Sequence, residues 1–150
     1  MEFLTKGFNQ VGIALRRDVM EYAIENLDGV VGWLTLFGAR CRDHNGMSKE
    51  VVDDVVVEGG KLARAEALKI VQYSSRYAVV LNYLAKTKKA TWSQIKSILE
   101  AHENRSLPNP TVTDILNKLV KTGLVGKDGD YSMPDRLLER GILENPLPED

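Results

Sequence analysis

The sequence predicts a mainly α protein: a helical bundle followed by a winged helix-turn-helix with a small β-hairpin wing. Three observations carry this. Apolar residues recur at helical spacing from residue 17 to about residue 70. Three further helical segments follow, between Ser75 and Lys121. Directly after them, Leu124-Val-Gly-Lys127, Asp128-Gly129 and Asp130-Tyr-Ser-Met133 spell two short strands about a tight turn.

Taken in order, Phe3, Leu4 and Phe8 predict a short first helix that stops near Gly12. From Arg17 to Leu27, Val19, Tyr22, Ala23, Ile24 and Leu27 form a second helical stripe, closed by Gly29. Val31 to Arg42 reads as a third helix, ended by the polar turn Asp43-His44-Asn45-Gly46. Ser48 is placed to cap a long fourth helix. Its valines favour a strand by propensity. Even so, Val52, Val55, Val56, Gly59, Leu62, Ala63 and Ile70 share one helical face, and the run is too long for an ordinary strand. Gly59 and Ala63 are expected to let a second helix approach closely.

The second half begins with a helix from Ser75 to Lys86, with Val79, Val80, Tyr83 and Leu84 inward. Thr91 and Gln94 have capping-box spacing ahead of the next helix, whose buried face is Ile95, Ile98 and Leu99. Asn109-Pro110 opens a third helix that runs to about Lys121, with proline in the first turn where its missing N–H costs nothing. A last helix is expected from about Pro134 to Ile142. The predicted organisation is a bundle over 1–73, a winged helix over 74–143 and a frayed acidic tail over 144–150.

Charge follows the same division. Residues 1–73 hold nine Lys/Arg against eleven Asp/Glu, a net −2. Residues 74–133 hold nine against five, a net +4, and residues 134–150 hold two against five, a net −3. Local charge decides whether a surface attracts a polyanion, so the basic surplus points to the winged helix. Cys41 is the only cysteine, which excludes an internal disulfide or a multi-cysteine metal site and favours a reducing compartment. No run approaches the ~18 apolar residues of a membrane span. The opening Met-Glu-Phe-Leu-Thr-Lys has no basic region, apolar core or cleavage site. A cytoplasmic protein without membrane association is expected.

The third helix of the second half carries the functional reading. At about 100° per residue, Val112, Ile115, Leu116, Leu119 and Val120 fall on one side. Thr113, Asp114, Asn117, Lys118 and Lys121 fall on the other. Such a helix packs inward and presents short polar and basic groups outward, which suits a DNA major groove. The candidate DNA-binding residues are Lys88, Lys89, Thr111, Thr113, Asn117, Lys118, Lys121 and, in the hairpin, Lys127. Winged helices also serve as protein-docking modules, and Asp114 repels phosphate, so that alternative stays open.

The run Leu27-Asp-Gly-Val-Val-Gly-Trp-Leu-Thr-Leu-Phe-Gly38 resembles the helical lid segment of the archaeal-type ATPases, a branch of the STAND P-loop group. A winged helix follows in that family too, with counterparts of Thr91-Trp-Ser-Gln-Ile-Lys96 and Lys127-Asp-Gly-Asp-Tyr131. The resemblance covers nearly the whole chain and implies that it corresponds to the C-terminal part of such an ATPase. It also implies that Gly29, Val31 and Gly32 lie near a nucleotide, with Val31 where the family usually has proline. No G-x-x-x-x-G-K-[ST] loop occurs. Neither catalytic residues nor a cofactor are therefore expected in this chain; ATP and magnesium would require a P-loop core supplied from elsewhere. The implied partners are double-stranded DNA or that ATPase core.

Other chemistry-bearing residues read as structural. His44 and His102 lack ligand partners at metal spacing, so no metal site is expected. Cys41 has no nearby histidine and reads as a packed or half-exposed thiol rather than a nucleophile. Trp33 and Trp92 read as core anchors, Gly59-Gly60 as a packing or kink site, and Asp53-Asp54 as a solvated face.

Overall fold

The computed structural model describes residues 16–27 and 31–150. The expected first helix and Gly29 lie outside them. Seven helices can be labelled in order among the described residues: α1 (Arg17–Leu27), α2 (Val31–Asp43), α3 (Lys49–Val71), α4 (Ser75–Thr87), α5 (Trp92–Glu103), α6 (Asn109–Lys121) and α7 (Arg136–Glu144). Three short strands, β1 (Lys89–Ala90), β2 (Gly126–Asp128) and β3 (Asp130–Ser132), form an antiparallel sheet in the order β1-β3-β2. No described helix is long and apolar enough to cross a membrane.

The chain divides into two compact units, Met1–Gly59 and Gly60–Asp150, and α3 contributes to both. The reason lies in what the second half of α3 touches. Gly60 meets α7 so closely that a Cβ on Gly141 would stand 2.3 Å from the Gly60 carbonyl oxygen. Arg64 donates to the carbonyls of Asn145 and Pro146, which follow α7. Gly60 is thus a point of close helix approach, next to the Gly59 and near the Ala63 that the sequence marks for such a contact. Leu62, expected inward, is half exposed, while Ala63, Ala67 and Val71 are buried.

In the first unit Val19, Met20, Ala23, Leu27, Phe37, Cys41, Val52 and Val55 form the core. Ser48 accepts from the Val51 N–H at 3.3 Å, which satisfies one of the free donors of the first turn of α3. Arg40 grips Glu58 with two hydrogen bonds, and Tyr22 donates to Asp53 at 2.6 Å. Asp53 is therefore engaged rather than merely solvated. Burial pushes the Cys41 thiol up to about 11, which leaves it a protonated, unreactive core group at neutral pH.

In the second unit, Leu81 and Leu84 of α4 pack with Ile95, Leu99, Leu116, Leu119, Leu137, Leu138 and Ile142. Each such side chain contributes on the order of 1.5–3 kcal/mol by leaving water. The capping box forms as its spacing predicts: Thr91 Oγ1 accepts from Gln94 N at 3.1 Å, and Gln94 Oε1 accepts from Thr91 N at 2.9 Å. α5 ends at Asn104, left-handed at φ 54. The connection to α6 is pinned by buried Leu107, whose N–H donates to Glu100 at 2.7 Å. Gly123 at φ 83 turns the chain from α6 into the wing, and Gly129 at φ 73 closes the hairpin. In those conformations a Cβ would be strained. The wing strands pair Lys127 with Tyr131, and β1, which no sequence signal announced, adds to β3 with Ala90 opposite Tyr131.

The tail departs from expectation. Instead of fraying, it packs on α4: Leu147 is buried, and the Asn82 amide both donates to its carbonyl and accepts from its N–H, each at 2.9 Å. Asn82 is the buried polar side chain of this core, and residues 147–149 supply the partners that make its burial tolerable.

Candidate nucleic-acid interface

α6 owes its position to one stripe. Val112, Ile115, Leu116 and Leu119 are buried against the core, and Val120 is half-buried at the edge. The opposite arc, about 140° wide from Thr113 to Lys118, is left in solvent. Thr111, Asp114, Asn117, Lys118 and Lys121 line a groove of about 550 Å³ whose far wall is Ser74, Arg76 and Tyr77 at the start of α4. Four of the eight candidate contacts, Thr111, Asn117, Lys118 and Lys121, are thereby brought together. Lys118 and Lys121 form no ion pair among the described residues, so their charge is open to a ligand.

The other four are placed differently. Thr113 accepts a hydrogen bond from the Trp92 indole at 3.2 Å, so its hydroxyl ties α6 to α5. Trp92, expected in the core, is half-buried at that junction; Lys96 lies 5.8 Å from its ring and donates to Asn109 at 2.7 Å. Lys88 is ion-paired with Glu139 of α7, whose side chain is only 14% exposed and needs a cation there. Lys89 stands exposed on β1, opposite Ser132. Lys127 holds its ammonium 5.6 Å from the Tyr131 ring, in the hairpin that also carries exposed Asp128 and Asp130. The hairpin tip thus carries two acids against one base, which weakens its attraction for phosphate. Of the residues that the resemblance places near a nucleotide, Gly29 is outside the described residues, and Val31 and Gly32 open α2.

Sequence reasoning missed Arg76 and Tyr77. They lie about forty residues from α6 in sequence, and only the packing of α4 beside α6 makes them neighbours. Arg76 does not face the groove as a free cation. It donates two hydrogen bonds to Glu103, at 2.8 and 2.9 Å, and Arg105 joins the same carboxylate at 3.1 Å. The hydrogen bonds from Arg76, and then those from Arg105, hold the Glu103 carboxyl below its usual range against the opposing effect of burial. A carboxyl lowered in the folded state adds stability above its unfolded value, near ~4.3, and that contribution is lost as pH falls through the folded value. Replacing Glu103 with Gln should therefore flatten the fall of the urea midpoint on acidification below about pH 5. An unchanged acid limb would show that the cluster is not linked to folding.

Residues 72–132, from just before α4 to the end of β3, match the family model of the MCM protein C-terminal winged helix-turn-helix domain. No curated protein matches the chain. Among solved structures, it is similar to the Walker-type ATPase of Pyrococcus abyssi, with a TM-score of 0.76 and 26% sequence identity. That similarity covers 95% of this chain but 40% of the ATPase chain. The segment from α4 to β3 is a winged helix-turn-helix, and the chain as a whole is similar to the winged-helix C-terminal part of an archaeal-type ATPase.

Proposed function

We propose that this chain is a non-catalytic regulatory module whose winged helix binds duplex DNA through the outward face of α6. The observation that carries the reading is the solvent-facing set Asn117, Lys118 and Lys121 along one groove. Lysines attract phosphates as point charges and release condensed counterions, and an asparagine amide can pair bidentately with adenine. With the hairpin tip acidic, about two or three phosphate contacts are expected, giving a log–log salt slope of roughly −2 to −3.

Titrating the full chain into labelled mixed-sequence duplex over a salt series tests this. Lys118→Ala with Lys121→Ala should weaken binding to every sequence and flatten the slope by about two. Asn117→Ala should instead reduce discrimination between sites, by about 1–3 kcal/mol. If no salt-dependent binding is seen at low salt, the DNA reading fails.

A second reading has its own support. Asp114 on the α6 face and Asp128 and Asp130 at the hairpin tip mix the charge of the surface, which suits docking on a protein. The ATPase to which the chain is similar is much longer than this chain. In that reading the winged helix docks on a P-loop core, with ATP and magnesium held by the core alone, and reports its nucleotide state.

A further inference from the structure

Tyr73 is the most exposed large apolar side chain among the described residues, at 84%. It is not on a loose loop. Its N–H donates to the Ile70 carbonyl at 3.0 Å, and the next residue's N–H donates to that of Val71 at 3.2 Å. The ring is thus presented from a fixed turn between α3 and α4. It borders a hollow of about 270 Å³ that is also lined by Ile70, Tyr77, Lys118, Lys121 and Thr122. Tyr77, Lys118 and Lys121 line the larger groove as well, so the two spaces adjoin along the basic edge of α6.

An exposed aromatic face beside two cations that bear no ion pair among the described residues is the combination that single-stranded nucleic acid uses: a base stacks while its flanking phosphates meet the lysines. A duplex offers the ring nothing comparable, because its base faces are stacked on one another. We propose that the hollow seats an unpaired nucleobase against Tyr73, so that the ligand of this module is a duplex carrying a single-stranded extension. The inference rests on the DNA reading for the groove and adds the structure of the DNA to it.

The test uses the full chain and three labelled DNAs: a blunt duplex, the same duplex with a short thymidine tail, and the same with an equally long abasic tail. Tails are placed on the 5′ and 3′ ends in turn. The abasic tail matches the added charge and lacks only the bases. The thymidine-tailed DNA should bind about tenfold more tightly than the other two. Tyr73→Ala should abolish that preference, and Tyr73→Phe should retain it. Because Tyr73 is exposed, neither change should disturb folding, and unchanged binding of the blunt duplex would confirm that. Replacing both lysines should weaken all three.

Equal binding of all three DNAs by the wild type, or a preference that survives Tyr73→Ala, would overturn the inference and leave the duplex reading standing. Tailed DNA bound through Tyr73 with no measurable affinity for blunt duplex would remove the duplex reading and keep the stacking seat. If a glutamate-rich peptide binds in a Tyr73-dependent way while thymidine tails give no gain, the hollow belongs to a protein partner and the proposal falls.

Discussion

Gly141→Val is expected to lower the melting temperature of the Gly60–Asp150 unit by about 10 °C or more. A Cβ at Gly141 would lie 2.3 Å from the Gly60 oxygen, 2.9 Å from its carbonyl carbon and 3.3 Å from its Cα. All three are backbone atoms of the facing helix, so no rotamer change relieves the clash. α3 and α7 must move apart, loosening the packing of Leu137, Leu138 and Ile142, which are about 1% exposed. Overpacking of this kind costs about 1–3 kcal/mol and occasionally more. In a domain of this size each kcal/mol moves the midpoint by roughly 4–8 °C. Gly38→Ala in α2 is the control. Nothing lies within 4 Å of the added Cβ, and the better helix former should leave stability equal or raise it by up to ~1 kcal/mol. Circular dichroism melts of the two variants give the comparison, and an unshifted Gly141→Val melt would contradict the close crossing.

The second large effect concerns where the winged helix begins as a folding unit. A fragment of residues 60–150 should unfold cooperatively. A fragment of residues 74–150 should melt lower by about 10 °C or lose its sharp transition. The shorter piece lacks buried Ala63, Ala67 and Val71 and the helix that covers Gly141. It also lacks the Arg64 bonds to the carbonyls of Asn145 and Pro146. At about 0.8 kcal/mol per buried methylene, the apolar part alone amounts to a few kcal/mol. Equal melting of the two fragments would restore a boundary near residue 73, where the change in charge balance places it.

The winged helix was legible because its signals are local. The Thr91/Gln94 box, Pro110 in the first turn of α6, the 3.6-residue stripe of that helix and the Asp128-Gly129 turn each act within a few residues. What escaped the sequence depends on long-range neighbours. Two lysines cannot indicate from their own surroundings that Lys88 will neutralise Glu139 while Lys118 stays open. β1 is two residues long and exists because β3 offers it an edge. The exposure of Leu62 on α3, expected inward, has a similar origin. Its valine-rich first half sets one stripe, but beyond Gly60 the helix faces α7, which favours the small side chains Ala63 and Ala67 over Leu62. The tail looked frayed on composition, and only the buried amide of Asn82, over sixty residues away, explains its order. Of the groove, the α6 wall was readable in the sequence and the α4 wall was not.

The clamp of Arg76 on Glu103 has an electrostatic consequence for the groove. The guanidinium on the α4 wall is compensated by a carboxylate less than 3 Å away, whereas Lys118 and Lys121, which also line the Tyr73 hollow, are not compensated. The positive charge is therefore freer around Lys118 and Lys121, where Asp114 offsets part of it, than at the Arg76–Glu103 pair. An elongated anion lying in such a gradient has a preferred heading, with its greatest charge density over the lysines. The groove thus favours one direction of approach for an elongated anion.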